Sequence, residues 1–294
     1  MPIDTFEKLV DIFPKIKGVD LNCNAEPFFN KKIFEMIELI KKSSDNKTFV
    51  RSPTNTMMLN EEIMKNLIIS GLDLIRFSFD GATPETFESI RIGAKFDKVV
   101  DNIMKFGRLK KELNRNNPTF TALFVAMKKN INELPDFIKL AKKLAIEEIT
   151  VLGYEPYKRE LSDQVLYFDN VNYFKKAIDI ASKNEIELNI PELSLKPYNK
   201  CLFETMCLIS CEGDVIPCSA CAYDRPFFIN THQYMHRRVS FGNINETPFM
   251  NIWNSPEFIN FRRRKKFGLL PEFCNHCLIS HGVIVPKGGK ANQL

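Results

Sequence analysis

Seven of the eight cysteines fall between Cys201 and Cys277, and Cys23 stands apart. Thiolates bind soft metals and iron–sulfur clusters, and a Cys-x2-Cys step lets two of them meet one centre across a tight turn. Two such steps occur, Cys218/Cys221 and Cys274/Cys277, with Cys201, Cys207 and Cys211 upstream. The segment from Cys211 to Cys218 predicts a hairpin turning at Glu212 to Asp214, with ligands near both ends. That pair plus the distant Cys274-x2-Cys277 would suffice for one four-thiolate centre. Three readings compete: buried structural cysteines, a zinc site and an iron–sulfur cluster. Zinc ribbons separate their pairs by about 15 to 20 residues, whereas 52 lie between Cys221 and Cys274. Spacing alone does not exclude zinc. His232-x3-His236 offers two more zinc-capable groups, although histidines in a polar loop are usually just solvated.

The 294 residues suggest two domains at roughly 150 residues each. A hydrophobic fraction of 44% supplies a sizeable core, and 26% charged residues argue against disorder. The surplus of Lys and Arg over Asp and Glu, 41 against 36, is too small to imply nucleic-acid binding. No apolar run approaches the roughly 18 to 20 residues of a membrane span, and the N-terminus lacks a basic region leading into an apolar stretch. The expectation is a soluble, cytoplasmic protein without nucleic-acid or membrane partners. Clustered thiols in a reducing compartment favour metal over disulfides.

These cysteines follow a half that alternates strand and helix. Strands are expected at Lys17 to Cys23, Thr48 to Arg51, Asp73 to Phe79, Pro118 to Met127 and Glu148 to Gly153. Helices fall between them: one carries Ile33, Met36, Ile37 and Ile40, and another starts at an Asn60 cap and stops before Gly71. A third starts at Thr83-Pro84-Glu85, a fourth spans about Phe96 to Leu113, and a fifth carries Leu134, Phe137 and Ile138. Such spacing requires parallel crossovers and predicts an α/β fold. Polar and glycine residues gather after the strands, where barrel-like folds keep their chemistry. A helix from Asp4 to about Phe13 opens the chain where a strand is expected. After Tyr157 the rhythm breaks, with a helix at Val171 to Ser182, a strand at Glu185 to Ile190, and a linker marked by Pro191 and Pro197. Two short helices follow, at Pro248 to Trp253 and Pro256 to Lys266, and Pro286 to Leu294 reads as a mobile tail.

Several segments in this order resemble the radical S-adenosylmethionine superfamily, in the branch with a C-terminal SPASM or twitch domain. Asn24-Ala25-Glu26-Pro27 is similar to its Gly-Gly-Glu-Pro motif, and Thr54-Asn55-Thr56 to its Thr-Asn-Gly motif. Ser78-x-Asp80-Gly81 followed by Arg91-x-Gly93 resembles its Ser-x-Asp-Gly…Arg-x-Gly stretch, and Met127-x2-Asn130-x2-Glu133 fits the next segment. Cys201-x11-Gly213-x4-Cys218 resembles the opening of the SPASM motif, and Phe241-Gly242-Asn243-Ile244, Ile252-Trp253, Phe258, Arg262 and Cys274-x2-Cys277 its continuation. The resemblance runs from about Met1 to Cys277.

It implies a partial (βα)6-type barrel missing its first strand over residues 1–190, and an iron–sulfur domain with a mobile tail over 191–294. It further implies S-adenosylmethionine bound by Asn24, Ala25, Glu26, Asn55, Ser78, Asp80 and Arg91. Glu26 would meet the ammonium, Arg91 and Ser78 the carboxylate, and Asn55 and Asp80 polar or ribose groups. Without the family pattern, Arg91 reads as a partner of Glu88. An auxiliary [4Fe-4S] cluster would sit on the twitch-like set Cys201, Cys218, Cys274 and Cys277, with zinc as rival and Cys207 or Cys221 as spare ligands. The family's Cys-x3-Cys-x2-Cys motif is absent from these residues, so the expectation is a truncated version of a longer protein, inactive as it stands, with a degenerate family member as the alternative. The family chemistry is hydrogen-atom abstraction by a 5′-deoxyadenosyl radical, serving an oxidoreductase or modifying enzyme. A small-molecule or peptide substrate and an electron donor would be its partners. The alternative is a non-catalytic iron–sulfur or zinc-binding interaction protein. The basic run Arg262 to Lys266 reads as a solvated helix face rather than a site for an anionic substrate.

Overall fold

A computed structural model describes residues 1–22, 25–166, 171–191, 201, 205–274 and 276–279, leaving aside the side chains of 171–173. Six strands form one sheet in chain order: β1 (Gly18–Asp20), β2 (Phe49–Thr54), β3 (Leu74–Ser78), β4 (Thr119–Ala126), β5 (Glu148–Gly153) and β6 (Glu187–Asn189). Neighbours β1–β2, β2–β3, β3–β4 and β5–β6 pair in parallel, with Arg51 opposite Asp20 and Leu74. Parallel neighbours need a crossover. These are α2 (Ile33–Ser43), α3 (Glu61–Ile69), α4 (Pro84–Ile90) with α5 (Phe96–Glu112), α6 (Leu134–Lys143) and α7 (Val171–Lys183), numbered after a short α1 (Ile3–Glu7). The expected rhythm break after Tyr157 is therefore too early for the sheet, because α7 and β6 add one more parallel unit. A longer excursion after β5 disguised that repeat.

Local chemistry sets these boundaries. Asn60 accepts a hydrogen bond from the Ile63 amide at 2.8 Å, and Gly71 follows the end of α3 at φ +89°. The opening helix stops at Glu7 rather than near Phe13. A short 3-10 turn, Phe13–Lys15, follows after a stretch of turns, with Pro14 in its first turn. The sheet's core is aromatic: Phe77, Phe106 and Phe120 contact one another edge-on or tilted, as do Phe79, Phe87 and Phe96.

The chain forms two compact units. One joins Val10–Leu152 and Asp169–Ile190, and so holds the sheet. The other combines Met1–Leu9, Gly153–Phe168 and Pro191–Val285. Within the second, β7 (Leu208–Ile209) pairs antiparallel with β8 (Val215–Ile216), and β9 (Arg225–Ile229) with β10 (His232–His236). Helices α8 (Phe249–Trp253) and α9 (Pro256–Lys266) follow. The Pro197 end of the linker and the 286–294 tail lie outside the described residues.

Candidate functional site

The rim of the sheet is built from three successive loops. After β1, Glu26 is buried, and its carboxylate accepts from the Thr54 hydroxyl at 2.9 Å and the Asn55 amide at 2.7 Å. Burial pushes this carboxyl above its usual range, although bonds from Asn55, Thr54 and Phe28 pull the other way. Glu26 thus ties the first loop to the end of β2. Ala25 is described beside it; Asn24 and Cys23 lie outside the described residues.

The loop after β3 is held more tightly. Asp80 is buried, accepts from the Val125 amide at 2.7 Å and pairs with Arg91 at 2.7 Å. Burial raises its carboxyl above the ordinary value despite that arginine. Arg91 therefore pairs with Asp80 and not with Glu88, which takes Lys95 and the Phe96 amide. Asn130 is fully buried and donates to the carbonyls of Asp80 and Val125. Glu133 accepts from the amides of Ala82 and Thr83 and from the hydroxyls of Thr83 and Thr86, capping α4. Gly81 has to be glycine, since a Cβ there would lie 2.9 Å from the Phe87 backbone nitrogen. Ser78 ends β3, half-buried at the same rim. Asn55, Ser78, Asp80 and Arg91 thus follow neighbouring strands at one edge. The buried Nε of Arg91 has no hydrogen-bond partner among the described residues, which leaves a donor for an incoming acceptor.

The second unit gathers the thiols. Cys201, Cys218, Cys221, Cys274 and Cys277 are all buried, Cys207 is half-buried, and Cys211 is exposed against Glu212. The Cys218 and Cys221 sulfurs share a hydrogen bond at 3.5 Å. Lys265 Nζ donates to Cys201 Sγ at 2.9 Å. The Cys221 thiol bonded to Cys218, helped by the Lys265 charge, holds Cys218 below the ordinary thiol range against its burial. The same bond, with burial and the charges of Cys218, Cys274 and Cys277, drives Cys221 upward. Cys274 is pushed up to about 12, by burial first and then by Cys277, Cys218 and Cys201, against the Lys265 charge. Cys274 thus feels the charges of Cys201, Cys218 and Cys277, and Cys221 those of Cys218, Cys274 and Cys277. Among the described residues, no group of three or more His, Cys, Asp or Glu side chains is placed to hold a metal ion. The donor set suits a thiolate-held cluster: soft sulfur ligands, shielded from water, with a cation beside them. Cys207 sits apart, raised to about 12 by burial despite the Arg262 charge.

The cage has a scaffold that explains the downstream motif. Ile244 and Val215 amides donate to the Gly213 and Gly242 carbonyls, and the Phe241 amide to the Val215 carbonyl. The Asn243 and Asn245 amides cap the turn by donating to the Glu212 carbonyl. Phe241 stacks on Phe258 at 4.2 Å, Trp253 meets Phe258 edge-on, and Arg262 lies 4.0 Å over Trp253. These contacts seat α9. The basic run is consequently split: Arg263, Arg264 and Lys266 are exposed, whereas Lys265 is buried and Arg262 half-buried. The solvated-face expectation fails for those two. Phe258, Phe261 and Lys265 share the buried stripe, an i, i+3, i+7 pattern that would have exposed Lys265 in the sequence.

Sequence reasoning also missed a polar cluster in this unit. Glu155 accepts from Tyr157 at 2.7 Å and meets His236 at 3.1 Å, with Arg225 3.7 Å away. Burial would raise the Glu155 carboxyl, but His236, Tyr157 and Arg225 together hold it below its ordinary value. His236 is 3% exposed and stacks on Phe227, so it is not a solvated loop histidine.

Residues 201–278 match the SPASM family model, described as an iron–sulfur cluster-binding domain. The chain is 24% identical to the tungsten-containing aldehyde ferredoxin oxidoreductase cofactor-modifying protein of Pyrococcus furiosus, over 94% of this chain and 79% of that one. It is also 24% identical to the AdoMet-dependent heme synthase of Methanosarcina barkeri, over 89% and 74%. Among solved structures it resembles Streptococcus suis SuiB bound to precursor peptide SuiA, with a TM-score of 0.65 at 14% identity, covering 99% of this chain. It spans 65% of SuiB, under two thirds of that length. Residues 201–278 thus carry a SPASM domain, and the chain as a whole, with its parallel sheet and ordered rim motifs, is similar to the S-adenosylmethionine-dependent and cofactor-modifying proteins above.

Proposed function

We propose that the chain serves a radical S-adenosylmethionine modifying enzyme or oxidoreductase, supplying the cofactor-binding rim and an auxiliary [4Fe-4S] domain. The burial of Cys201, Cys218, Cys274 and Cys277, with the Lys265 ammonium 2.9 Å from the Cys201 sulfur, supports this reading. In it, Arg91 and Ser78 hold the cofactor's carboxylate and Glu26 its ammonium, with Asn24, Ala25 and Asn55 lining the same loops. Asp80 aims the Arg91 guanidinium, whose buried Nε offers the free donor. When bound, S-adenosylmethionine supplies the 5′-deoxyadenosyl radical that removes a hydrogen atom from substrate. That chemistry needs three thiolates in a Cys-x3-Cys-x2-Cys motif, which these 294 residues do not contain; in-frame DNA upstream encoding it would join that motif to this chain. An in-frame stop directly upstream would favour the non-catalytic iron–sulfur protein instead.

The relatives' names support a modifying role, and the peptide bound to SuiB supports a peptide as substrate class. No helix among the described residues is long and apolar enough to cross a membrane, and free thiols suit the reducing cytoplasm. The test is anaerobic reconstitution followed by iron and sulfide assay and calorimetry with S-adenosylmethionine. Broad absorption near 400 nm with about four irons per chain is expected. R91A is expected to weaken cofactor binding about tenfold or more, the worth of a charge-assisted hydrogen bond. Stoichiometric zinc without iron would overturn the cluster assignment, and unchanged affinity in R91A would remove Arg91 from the cofactor site.

A further inference from the structure

The most deeply buried lysine among the described residues lies in the thiol cage. Lys265 is 1% exposed, its Nζ is 2.9 Å from Cys201 Sγ, and it stands 5.1 Å from the Phe261 ring centre. The other buried lysine, Lys41, answers the Asp73 carboxylate. At Lys265 the neighbours that raise its pKa include three sulfurs, those of Cys201, Cys274 and Cys218. An ammonium is costly to remove from water unless an anion faces it. Helix α9 already exposes Arg263, Arg264 and Lys266 within a turn of it, so surface charge gives no reason to bury a fourth. Its position is also fixed, because Phe258 and Phe261 on the same stripe stack into Phe241 and Phe273.

We propose that Lys265 is a positioning residue for electron transfer, a fixed counter-charge that raises the reduction potential of the cluster held by the surrounding thiolates. The proposal rests on the cluster assignment above. One-electron reduction adds a negative charge inside a low-dielectric cage, where a fixed cation nearby favours the reduced form. An N–H···S hydrogen bond from the same group acts in the same direction by withdrawing charge from sulfur. The lysine thereby biases the cluster toward accepting an electron.

The experiment compares the wild-type full chain with K265M, K265Q and K265R, each reconstituted anaerobically, assayed for iron and sulfide, and titrated with the reduced cluster followed by electron paramagnetic resonance. In K265M and K265Q the reduced-to-oxidised ratio at fixed ambient potential is expected to fall about tenfold or more, a shift of about 59 mV toward negative values for one electron. K265R, which keeps the charge, is expected to stay within about threefold of wild type. Equal potentials across iron-loaded variants would overturn the proposal and leave the cluster assignment standing. Neutral variants that load no iron, beside a K265R that does, would assign the charge to assembly and likewise overturn it. A wild-type chain that takes up zinc and no iron would refute the cluster assignment itself.

Discussion

Thr56 carries the clearest local strain at the cofactor rim. It stands at φ +65°, in the left-handed region, where the family motif has glycine. A β-branched side chain is unfavourable there. The position is nonetheless fixed: Thr56 is fully buried, its amide donates to the Thr54 hydroxyl at 2.9 Å, and Asn102 donates to its carbonyl. Glu26, bonded to Thr54 and Asn55, adds a further tie. The backbone therefore cannot relax away from this conformation when the side chain changes. T56G and T56A both delete the hydroxyl and the methyl, so their difference isolates the backbone preference. At an ordinary helix or strand position alanine would be the more stable by about 0.5–1 kcal/mol. Here T56G is expected to be the more stable by about 1 kcal/mol. Urea unfolding of the two variants checks the sign, and a more stable T56A would show that the loop relaxes.

The hairpin of β7 and β8 shows how the elements around the cage depend on one turn. Gly213 sits at φ +94°, and a Cβ there would lie 2.7 Å from Asn245 Nδ2 and 2.9 Å from Asn243 Oδ1. Those two side chains cap the turn, so they cannot move aside without exposing the Glu212 carbonyl they satisfy. G213A is expected to cost about 2–3 kcal/mol, combining left-handed strain with displaced caps, and N243A less, because it opens space as it removes a bond. Thermal unfolding of the variants would show the order, and a near-neutral G213A would mean the turn is not what holds Cys218 in place. This hairpin was legible from Glu212-Gly213-Asp214, because turn chemistry is local. So were the six strands of the parallel sheet, the Asn60 cap and the Gly71 stop, whereas β9 and β10 were read as a polar loop. The Glu155–His236 contact was not, because 81 positions separate its partners and neither carries a local signal. The Arg91–Asp80 pair was not legible either, and the alternative partner Glu88 does not take Arg91: helical proximity is visible in sequence, whereas Asp80 reaches it through the fold of the β3–α4 loop.

The sheet core and the thiol cluster bury very different material. The sheet unit rests on large aromatic and aliphatic side chains, with Phe77, Phe79, Phe106, Phe120 and Phe137 all fully or almost fully buried. The thiol region packs Ile216, Cys218, Ala220, Cys221, Ala222 and Cys277 together, with Leu208, Val239, Phe273 and Ile279 against them. Alanines and cysteines are small, and at about 25 cal/mol per Å2 of buried apolar surface they supply little. Small domains with that deficit commonly draw folding energy from a metal centre. If thiolate–iron bonds fill the role here, removing iron should loosen one unit and spare the other. In the reconstituted full chain, chelation is expected to speed amide exchange at least tenfold across Leu208–Cys221 and Pro256–Cys274. That corresponds to about 1.4 kcal/mol of lost local stability. The amides of β2, β3 and β4, inside the aromatic core, should keep their protection. A uniform loss would show that the sheet also depends on the cluster. No change at all would mean that the cage is stable on its own packing and that its cysteines are not under load from a metal.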